Sequence, residues 1–573
     1  MVESLFDTAK KFALKNAADY GRADEKAVVG KLLAIHPEAK KDISSVIGAA
    51  KKAVADVNGM PKEEVVRQAG KHTFEKKENA GGELELPGAI KGGVVTRFPP
   101  EPNGYPHVGH AKAVLLNYDC AKKYEGKFLL RWDDTNPETE KEEFVEAIRN
   151  GLDWLGIKPD KESFVSDDLD TLYKFARNLV ENSGAYACLC PQSKIKEFRA
   201  MQKECECRLR GKEDHLDLWE GMLNGRFRHN QAVLRFAGGM ASPNTVMRDP
   251  VLFRIIEATH YRQKDRFSVW PTYDFDVPIE DSLGGITHAM RSKEYELRDE
   301  LYFAILEKLG LRKPALIEFS RLSLRGMPIS KRLLKKLIEE KKVSGWNDPR
   351  LPTLEGLKRR GIQPAAVCNF VRSFGLSKVE SEPPIDRLLV ENKKLLDPVA
   401  CHYFLAVTPV KLHVLDSPKE ISELRLRRHP VAELGERTIK VSGEFYISQA
   451  DSGVLSEGEE IRLKDLYNVR VLKTGTNFVE AEYSAATGPV EKKIQWVPGS
   501  NGTAVPARLV VPSELLDENE NFRPESLKIF DAFAEPECRK IAQGETVQFE
   551  RVGFARLDDK EKMTFVLSTR MRE

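Results

Sequence analysis

The sequence predicts a multidomain protein in which an α/β domain lies between a helical N-terminal segment and an all-β C-terminal region. Three observations support this prediction: helical apolar spacing near the N-terminus, alternating strands and helices from residue 93, and short β-branched runs beyond residue 398. Because the chain has 573 residues, it is too long for one hydrophobic core, and about three to five domains are expected.

Composition excludes several classes of protein. Hydrophobic residues make up 41% of the chain and charged residues 31%, which is typical of a folded protein rather than a disordered one. The net charge is only +2, so any nucleic-acid partner has to be bound by local basic surface. The sequence contains neither a run of about 18 apolar residues nor a signal peptide. Eight cysteines in so long a chain indicate reduced thiols, and we expect a cytoplasmic protein without a membrane partner.

Residues 1–85 are predicted to form a helical N-terminal appendage. Residues 71–82 are charged and then Gly-rich, which predicts a linker. Two interpretations of the appendage stay open: a small helical bundle without chemistry, or a docking module for RNA or protein. Two apolar stripes at helical spacing predict the helices: Leu5, Phe6, Ala9, Phe12, Ala13 and Ala17, then Val28, Val29, Leu32, Leu33 and Ile35.

Residues 90–330 are predicted to form a Rossmann-type parallel-sheet domain. Its opening unit is a strand, a Pro/Gly-rich loop, a helix and a second strand that ends in Asp133 and Asp134, an order typical of a nucleotide crevice. Residues 185–265 interrupt this alternation and are predicted to be an insertion. The predicted strands cover residues 93–98, 128–132 and 319–324, and the predicted helices residues 109–124 and 138–156.

The remainder of the chain divides into a helical part and a β-rich part. Residues 331–397 are predicted to form a helical connecting subdomain with Pro-marked turns. Residues 398–573 alternate β-branched runs with Gly, Pro and Asn turns, which predicts two β-barrels. Examples of such runs are residues 412–415, 438–441 and 549–554.

The segment Pro106-His107-Val108-Gly109-His110 lies where the first loop enters the first helix of this domain. A helix N-terminus presents unpaired N–H groups and a partial positive charge, so it favours phosphate groups. Two histidines around a Val-Gly step add hydrogen-bond donors for an ATP triphosphate at the same place. The alternative is that the two histidines only cap the helix.

A second segment, Pro328-Ile329-Ser330-Lys331-Arg332, follows more than 200 residues later. A loop lysine that reaches the phosphates as charge develops stabilises the transition state more than the ground state. The alternatives are that Lys331 begins an ordinary basic helix and that Ser330 is its N-cap. Either motif alone is weak evidence, whereas the two in this order predict adenylate chemistry.

Five blocks of sequence resemble the glutamyl/glutaminyl branch of the class I aminoacyl-tRNA synthetases, and the resemblance runs from about residue 90 to 570. Residues 328–332 resemble the KMSKS-type loop of that family, although Pro328 replaces the usual first Lys and Arg332 the usual last Ser. Lys331 is therefore expected to be the main catalytic lysine of the loop. The five blocks are residues 97–112, 131–137, 271–275, 285–288 and 345–353.

The resemblance implies a reaction. The α-carboxylate of an amino acid attacks the α-phosphate of ATP, and the adenylate is then transferred to a terminal ribose hydroxyl of tRNA. No protein nucleophile is required, so catalysis consists of positioning and charge stabilisation. Mg²⁺ is expected to accompany ATP without a dedicated protein cage.

The resemblance also implies site residues. The catalytic residues are expected to be His107, His110 and Lys331. In the amino-acid site, Asp133 is expected to hold the α-ammonium and Tyr273 to shape the pocket, and Arg97 is a second candidate for binding a carboxylate. The ATP-binding residues are expected to be Pro100, Glu101, His107, Gly109, His110, Ser330, Lys331 and Arg332.

Arg291 indicates which amino acid is charged. In the resembled family, the segment after Gly-Ile-Thr-His carries arginine in glutamyl enzymes and an uncharged residue in glutaminyl enzymes. A buried glutamate carboxylate needs a cationic, forked partner, whereas a glutamine amide would leave the arginine unpaired at a cost on the order of a few kcal/mol. The alternative is that Arg291 faces solvent and pairs with Glu294 or Glu296. We expect L-glutamate as the substrate, and a glutaminyl-tRNA synthetase is the nearest rival.

Four cysteines in the insertion, Cys188, Cys190, Cys205 and Cys207, form two Cys-x-Cys pairs. Four thiolates can form a tetrahedral, structural Zn²⁺ site in a reducing compartment. The spacing is tighter than the usual Cys-x₂-Cys. The alternative is a set of reduced thiols left from a degenerate site.

The C-terminal region resembles the two anticodon-binding barrels of glutaminyl enzymes and of archaeal and eukaryotic glutamyl enzymes, whereas bacterial glutamyl enzymes have a helical cage there. We therefore expect a monomeric, archaeal-type enzyme that charges tRNA(Glu), and charging of tRNA(Gln) stays open. Two other classes of protein remain as alternatives: a small-molecule nucleotidyltransferase, and an RNA-binding scaffold without catalysis. Basic runs at residues 335–336, 358–360 and 425–428 are either contacts to the tRNA backbone or ordinary solvated faces.

Overall fold

The computed structural model describes residues 5–20, 22–35, 42–69, 84–328, 330–486, 488, 490–500 and 503–570. The chain divides into two compact units, Met1–Ala80 and Gly81–Glu573. Among the described residues, no helix is both long and apolar enough to cross a lipid bilayer. The predicted linker at residues 71–82 lies outside the described residues.

The first unit consists of helices, as predicted. Helices α1 and α3 pack through small side chains, because Ala9 and Ala13 face Ala50 and Ala53 in one buried cluster. Val28 and Leu32 of the second predicted stripe join the same core. Asp42 caps α3 by accepting a hydrogen bond from the Ser45 amide. The four helices are α1 (Leu5–Tyr20), α2 (Glu25–Ile35), α3 (Ile43–Asn58) and α4 (Lys62–Ala69).

The second unit opens with the predicted parallel sheet. Its first elements are β1 (Val95–Phe98), α5 (Val108–Lys123), β2 (Lys127–Trp132), α6 (Glu142–Trp154), β3 (Lys161–Phe164) and α7 (Leu169–Glu181). Strands β1, β2 and β3 pair in parallel in that order. Helix α6 is shorter than the predicted span of 138–156, because residues 137–139 form a turn in which the Asn136 amide donates to the buried Glu140 carboxylate.

The predicted insertion is an antiparallel sheet with helices. It contains β4 (Ala185–Cys188), α8 (Gln192–Met201), α9 (Lys212–Leu223), β5 (Val233–Phe236), β6 (Val251–Ile255) and β7 (Val269–Pro271). The four strands pair in sequence order. Large aromatic side chains such as Trp219, Phe253 and Trp270 fill one core with α7 and with the helix that follows β7.

The parallel sheet then resumes with α10 (Tyr273–Leu283), β8 (His288–Ser292), α11 (Asp299–Leu309) and β9 (Ala315–Phe319). Thr287 joins the two parts of the sheet, because its amide donates to the Val95 carbonyl at 2.9 Å. The prediction of a strand at 319–324 is wrong. Strand β9 ends at Phe319, and the Ser320 amide then donates a hydrogen bond to the Ser377 carbonyl instead of to a neighbouring strand. Leu322 and Leu324 form only isolated bridges.

Four helices connect this sheet to the C-terminal region: α12 (Lys331–Glu339), α13 (Leu354–Arg359), α14 (Pro364–Arg372) and α15 (Asp386–Leu396). Leu354, Val367 and Phe370 of these helices share a core with Val108 and Trp132 of the parallel-sheet domain. The helical subdomain is therefore packed onto the sheet domain rather than tethered to it.

The C-terminal region is built from strands, as predicted. Two seven-stranded sheets each enclose a separate apolar core, one around Trp496 and Phe445 and the other around Phe549 and Phe565. The elements are β10 (His402–Tyr403), β11 (Leu405–Val407), β12 (Pro409–Leu415), β13 (Glu423–Arg427), β14 (Glu436–Lys440), β15 (Glu444–Ser448), α16 (Gln449–Ser452), β16 (Glu460–Leu463), β17 (Asn468–Thr474), β18 (Phe478–Ser484), β19 (Lys493–Ile494), β20 (Val497–Pro498), β21 (Val505–Pro512), β22 (Leu527–Ala534), β23 (Thr546–Phe549), β24 (Gly553–Asp559) and β25 (Thr564–Arg570).

The first of these sheets has the order β19-β16-β17-β18-β12-β15-β20, and the second has the order β10-β23-β24-β25-β21-β22-β11. The run predicted at 412–415 lies in β12, and the run at 438–441 overlaps β14. The run at 549–554 is not one strand, because it spans the turn between β23 and β24. Arg551 takes a positive φ of 60° in that turn, and the Val552 amide donates to the Phe549 carbonyl.

Candidate active site

A cavity of about 740 Å³ lies at the carboxyl ends of β1, β2, β8 and β9, where a parallel α/β sheet places its ligands. Of the residues predicted to bind substrates, ten line this cavity: Arg97, Pro100, Glu101, His107, Gly109, His110, Asp133, Tyr273, Arg291 and Ser330. The structure therefore gathers the two halves of the predicted site, which are far apart in sequence, around one space.

His107 and His110 both cap helix α5 and face the cavity. The Nδ1 atom of His107 accepts a hydrogen bond from the Gly109 amide at 3.1 Å, and the Nδ1 atom of His110 accepts one from the His107 amide at 3.2 Å. Their ring centroids are 4.0 Å apart. Because each Nδ1 accepts, the proton of each neutral ring sits on Nε2, where it can be donated to a phosphate oxygen. Capping and phosphate binding are thus compatible here.

Gly109 allows the His107 ring to lie flat against the start of the helix. A Cβ atom on Gly109 would come within 2.9 Å of His107 Cε1, which is closer than real Cβ contacts, and within 3.2 Å of the Leu322 carbonyl oxygen, which is tighter than most of them. The helix entrance is held from the other side by residues 345–353, because the Val108 amide donates to the Pro352 carbonyl at 3.0 Å. This contact explains why the 345–353 block accompanies the histidine motif.

The second phosphate motif borders the same cavity. Ser330 lines it, and Lys331 is the first residue of helix α12. Ser330 occupies the N-cap position of α12, as the alternative for this residue has it, but its side chain makes no capping hydrogen bond among the described residues. Arg332 is exposed. Ile329 and the Lys331 side chain lie outside the described part of the structure.

Arg97 lies in the wall of the cavity and is 1% exposed. Its Nε and Nη2 atoms donate to both carboxylate oxygens of Asp281, at 2.9 and 3.0 Å, and its Nη1 donates to the Met290 carbonyl at 2.7 Å. Arg131 also donates to Asp281 and, through Nε, to Asp133 at 2.8 Å. Every nitrogen of Arg97 is thus already engaged, which makes it a weaker candidate for a substrate carboxylate than Arg291.

Two carboxylates face the cavity beside this network, Asp133 and Asp276. Burial raises the pKa of Asp133, although Arg131 opposes the shift. Burial, and then the charge of Asp133, raise the pKa of Asp276 well above its ordinary value. Oδ2 of Asp276 accepts from the Thr135 hydroxyl, whereas Oδ1 has no hydrogen-bond partner among the described residues. An ammonium group would satisfy this oxygen and restore the charged form.

Asp276 was missed at the sequence level. It follows the family-like block at residues 271–275 by one position. Helix α10 begins at Tyr273, so Asp276 and Tyr273 are three residues apart and share a helical face. That spacing was the available signal. Only the tertiary structure showed that Asp276 bonds Thr135 and lines the cavity together with Tyr273.

A buried acidic cluster lies behind the carboxyl end of β2. His260 Nε2 is 3.5 Å from Glu140 Oε2 and 3.8 Å from Asp134 Oδ2. The His260 Nδ1 atom accepts from two backbone amides, so its other nitrogen points toward the two carboxyl groups. Burial raises the pKa of Asp134 to about 7 and that of Glu140 to about 9.

Arg291 is 5% exposed and lines the cavity, so the alternative in which it faces solvent is not supported. Its Nη2 atom pairs with Asp299, and its guanidinium lies 5.2 Å from the centroid of the Tyr302 ring. Among the described residues, Nε and Nη1 of Arg291 have no hydrogen-bond partner. Glu294 and Glu296, the alternative partners, pair instead with Arg321 and Lys378. A bound ligand could therefore accept hydrogen bonds from these two nitrogens of a buried arginine.

Tyr273 lies on the same wall as Arg291. Its ring is 4.6 Å from the ring of Tyr295, centroid to centroid, at an angle of 34°. Both rings line the cavity. Together they form an aromatic wall of the cavity that Arg291 also lines.

The four cysteines of the insertion converge. Among the described residues, Cys188, Cys190, Cys205 and Cys207 form the one cluster of metal-ligating side chains, with sulfur atoms within 4.8 Å of one another. Sγ of Cys188 is 3.8 Å from that of Cys205, and Sγ of Cys190 is 3.7 Å from that of Cys207. Tetrahedral zinc with Zn–S bonds of about 2.3 Å requires sulfur separations of about 3.8 Å. The donor set therefore fits zinc.

The three basic runs differ in their surroundings. Lys335 and Lys336 are exposed on α12, with loose ion pairs to glutamates one turn away. Arg359 forms a close pair with Asp558 at 2.8 Å, whereas its neighbour Arg360 is 5% exposed. Arg425 projects from the β13–β14 hairpin with its side chain 76% exposed. A run of basic residues in the sequence, such as 358–360, can therefore contain both surface and buried side chains.

Comparison with known proteins agrees with this geometry. Residues 93–398 match the family model of the tRNA synthetases class I (E and Q), catalytic domain, which is more than half of the chain. Residues 400–484 and 493–558 match two anti-codon binding domains of the same family.

Curated relatives cover nearly the whole chain. A glutamate–tRNA ligase of Nitrosopumilus maritimus is 42% identical over 99% of this chain and 100% of its own length. The corresponding ligase of Cenarchaeum symbiosum is 43% identical over 97% of this chain and 98% of its own. That of Korarchaeum cryptofilum is 40% identical over 99% and 100%. The chain belongs to the class I tRNA synthetases of the glutamate and glutamine branch.

Proposed function

We propose that this chain is a glutamate–tRNA ligase that attaches L-glutamate to tRNA(Glu) through a glutamyl-adenylate. The observation that carries the choice of amino acid is Arg291, which lines the cavity and whose Nε and Nη1 atoms are buried without a hydrogen-bond partner among the described residues. The full-length archaeal relatives that are named glutamate–tRNA ligases support the same choice.

The ATP phosphates would lie at the N-terminus of α5. There the two histidine rings donate through Nε2, and Lys331 adds positive charge from the opposite loop. Pro100, Glu101, Gly109, Ser330 and Arg332 complete the proposed nucleotide site. Mg²⁺ would enter with the phosphates and neutralise part of their charge.

The amino acid would lie across the carboxyl ends of β2 and β8. Asp133 and Asp276 would hold its α-ammonium, Tyr273 would flank its side chain, and Arg291 would bind the side-chain carboxylate with two parallel hydrogen bonds. Arg97 would act mainly by holding Asp281 and the cavity wall.

The chemistry would proceed in two steps. An oxygen of the α-carboxylate attacks the α-phosphorus of ATP in line, and pyrophosphate leaves with its negative charge stabilised by the histidines and Lys331. A terminal ribose hydroxyl of tRNA then attacks the carbonyl carbon of the adenylate, and AMP leaves. The chain's own residues position the reactants and stabilise charge without forming a covalent bond.

The test is aminoacylation of tRNA(Glu) with radiolabelled glutamate or glutamine. Charging with glutamate and not glutamine is expected, and the opposite result would establish the glutaminyl alternative. ATP turnover without any effect of tRNA would indicate a small-molecule nucleotidyltransferase. Lys331→Ala is expected to slow charging sharply and to leave tRNA binding almost unchanged, which separates an enzyme from an RNA-binding scaffold.

We extend the proposal to tRNA(Gln) as a second acceptor, since the archaeal-type enzymes that the sequence resembles commonly charge both. The two purified tRNA species, assayed separately with glutamate, decide this point. Product on tRNA(Glu) alone would restrict the proposal to one acceptor.

Two further features belong to the proposal. The four cysteines would hold a structural Zn²⁺ that fastens β4 to the segment after α8, since their sulfur atoms lie within 4.8 Å of one another and two of the pairs are at the separation that a tetrahedral zinc site requires. The domains would be a helical appendage at 1–85, a catalytic domain at 90–330 with its insertion at 185–265, a helical connection at 331–397 and two anticodon-binding barrels at 398–573. We place the enzyme in the cytoplasm as a monomer.

A further inference from the structure

A second cavity, of about 620 Å³, lies between the helical subdomain and the second C-terminal sheet. Arg360, which follows α13, and Lys393 of α15 line one side, and the ends of β21 and β25, with Arg523 from the segment between β21 and β22, line the other. None of these residues lines the active-site cavity. The site is therefore separate from the proposed reaction centre.

Arg360 is the unusual group in this cavity. Arg360 is 5% exposed, and its Nε atom is buried without a hydrogen-bond partner among the residues that the structure describes. Burial lowers the pKa of Arg360 to about 10, and Asp386 is the one charge that opposes this shift. A buried charge without a partner is costly.

Two other buried arginines that the structure describes are paired with carboxylates. Arg350 binds Asp348 through two nitrogens, and Arg437 binds Glu535 at 2.8 Å. This contrast indicates that the partner of Arg360 is a molecule other than the protein itself. A forked, planar donor of this kind matches the oxygens of a phosphate group.

The remaining groups of the cavity suit the same ligand. Lys393 and Arg570 add positive charge, while Glu514 is largely neutralised by Arg523 at 3.6 Å. The Thr569 hydroxyl is buried and has no partner in the described part of the chain. Positively charged side chains thus outnumber carboxylates around this cavity. Arg360 Nε and the Thr569 hydroxyl have no hydrogen-bond partner among the described residues.

We propose that this cavity binds a phosphate group, with Arg360 as its main ligand and the Thr569 hydroxyl as a second donor. The phosphate has two possible sources: a phosphodiester of the tRNA backbone, which rests on the proposed function, or a free phosphate or small phosphorylated molecule, which does not.

The probe for the first experiment is inorganic phosphate. The thermal unfolding midpoint of the full chain is measured in phosphate and in chloride at equal ionic strength, for the wild type, for Arg360→Met and for Lys393→Gln. Phosphate is expected to raise the midpoint of the wild type, and the affinity derived from this rise should fall at least about 10-fold in Arg360→Met. Lys393→Gln should weaken phosphate binding less than Arg360→Met does. Arg359→Met, whose arginine pairs with Asp558 instead, is the matched control.

Folding does not confound this test. Methionine removes an unpaired buried charge, so Arg360→Met is expected to be at least as stable as the wild type in chloride. Phosphate that binds at the ATP site contributes equally to both proteins, so only the difference between them reports on this cavity. An equal phosphate-dependent rise in the wild type and in Arg360→Met would overturn binding of free phosphate here.

The second experiment distinguishes the sources by titrating tRNA(Glu) at several salt concentrations. If a backbone phosphodiester occupies the cavity, Arg360→Met should weaken tRNA binding about 10-fold and reduce the slope of log K against log[salt] by about 1. If the ligand is a free phosphate, tRNA binding should not change while the phosphate effect on stability is lost. Loss of neither property would overturn the proposal. Failure of glutamate charging would leave the first experiment unaffected.

Discussion

Arg97 and Asp281 form a doubly hydrogen-bonded ion pair in the wall of the active-site cavity, although they are 184 residues apart in sequence. Both side chains are essentially inaccessible to solvent, at 1% and 0% exposure. Arg131 donates to the same carboxylate at 2.6 Å, and the Tyr302 hydroxyl donates to it at 2.9 Å. One buried aspartate therefore holds the ends of β1 and β2 to helix α10.

Asp281→Asn should destabilise the catalytic domain strongly. The change leaves the guanidinium groups of Arg97 and Arg131 buried with too little negative charge, at a cost of about 3–5 kcal/mol. The unfolding midpoint in urea checks this. Asp170→Asn is the control, because Asp170 and Arg266 form a pair that is 61% exposed on each side and worth about 0–1 kcal/mol. Similar midpoints for the two variants would contradict the assigned role of Asp281.

Arg291→Gln should reduce the use of glutamate. The variant removes two hydrogen bonds to the substrate carboxylate, and a loss of about 3 kcal/mol corresponds to roughly 150-fold in kcat/KM for glutamate. The measurement is tRNA charging at varied glutamate concentration, with glutamine as competitor. Arg266→Gln, an exposed arginine of the same unit, is the control. Unchanged kcat/KM would remove Arg291 from the amino-acid site.

Gly109→Ala should impair adenylate formation while the fold persists. The added Cβ would press on the His107 ring and on the Leu322 carbonyl, so the ring has to leave its position at the helix N-terminus. We expect a loss of about 10- to 100-fold in tRNA-dependent pyrophosphate exchange. Gly48→Ala is the matched control, since a Cβ at that helical position meets no atom within 4 Å. Equal exchange rates in the two variants would argue against the assigned position of His107.

Glu140→Gln should change how stability depends on pH. Because burial raises the pKa of Glu140 in the folded state to about 9, the folded protein binds a proton that the unfolded chain releases near pH 4. The contribution of Glu140 to the free energy of unfolding is therefore largest below about pH 4 and is lost as the pH rises toward 9. The unfolding midpoint of the variant should fall less between pH 5 and 9 than that of the wild type. Parallel profiles for the wild type, Glu140→Gln and the exposed control Glu146→Gln would contradict this assignment.

Cys207→Ser should abolish zinc binding. Four cysteine sulfur atoms within 4.8 Å of one another predict one zinc ion per chain, and serine is a poor ligand for it. Elemental analysis of the purified protein measures the zinc content, and a strong chelator should lower the unfolding midpoint of the wild type but not that of the variant. Cys401→Ser, a partly exposed cysteine outside the cluster, should retain the metal. A wild-type protein purified without zinc, and unable to take it up, would favour the degenerate-site alternative.

Much of the fold was predictable because it is local. The helical stripes of the first unit, the strand–loop–helix–strand order around the histidine motif and the short β-branched runs of the last third each reflect the period of their own secondary structure. The errors fall at element ends. Helix α6 begins four residues later than predicted because Glu140 is drawn into the interior, and residues 549–554 form a turn because Arg551 adopts a left-handed conformation.

The sequence by itself determined the chemistry available to this protein: the two histidines at a helix start, the distant lysine loop, the arginine at position 291 and four cysteines in two pairs. Only the tertiary structure decided how each is used. It engaged Arg97 with Asp281, left two nitrogens of Arg291 without a partner among the described residues, brought Asp276 into the cavity and buried Arg360 of the basic run at 358–360. The reason is physical: the pairing and burial of a charge depend on neighbours hundreds of residues away, and no local pattern encodes them.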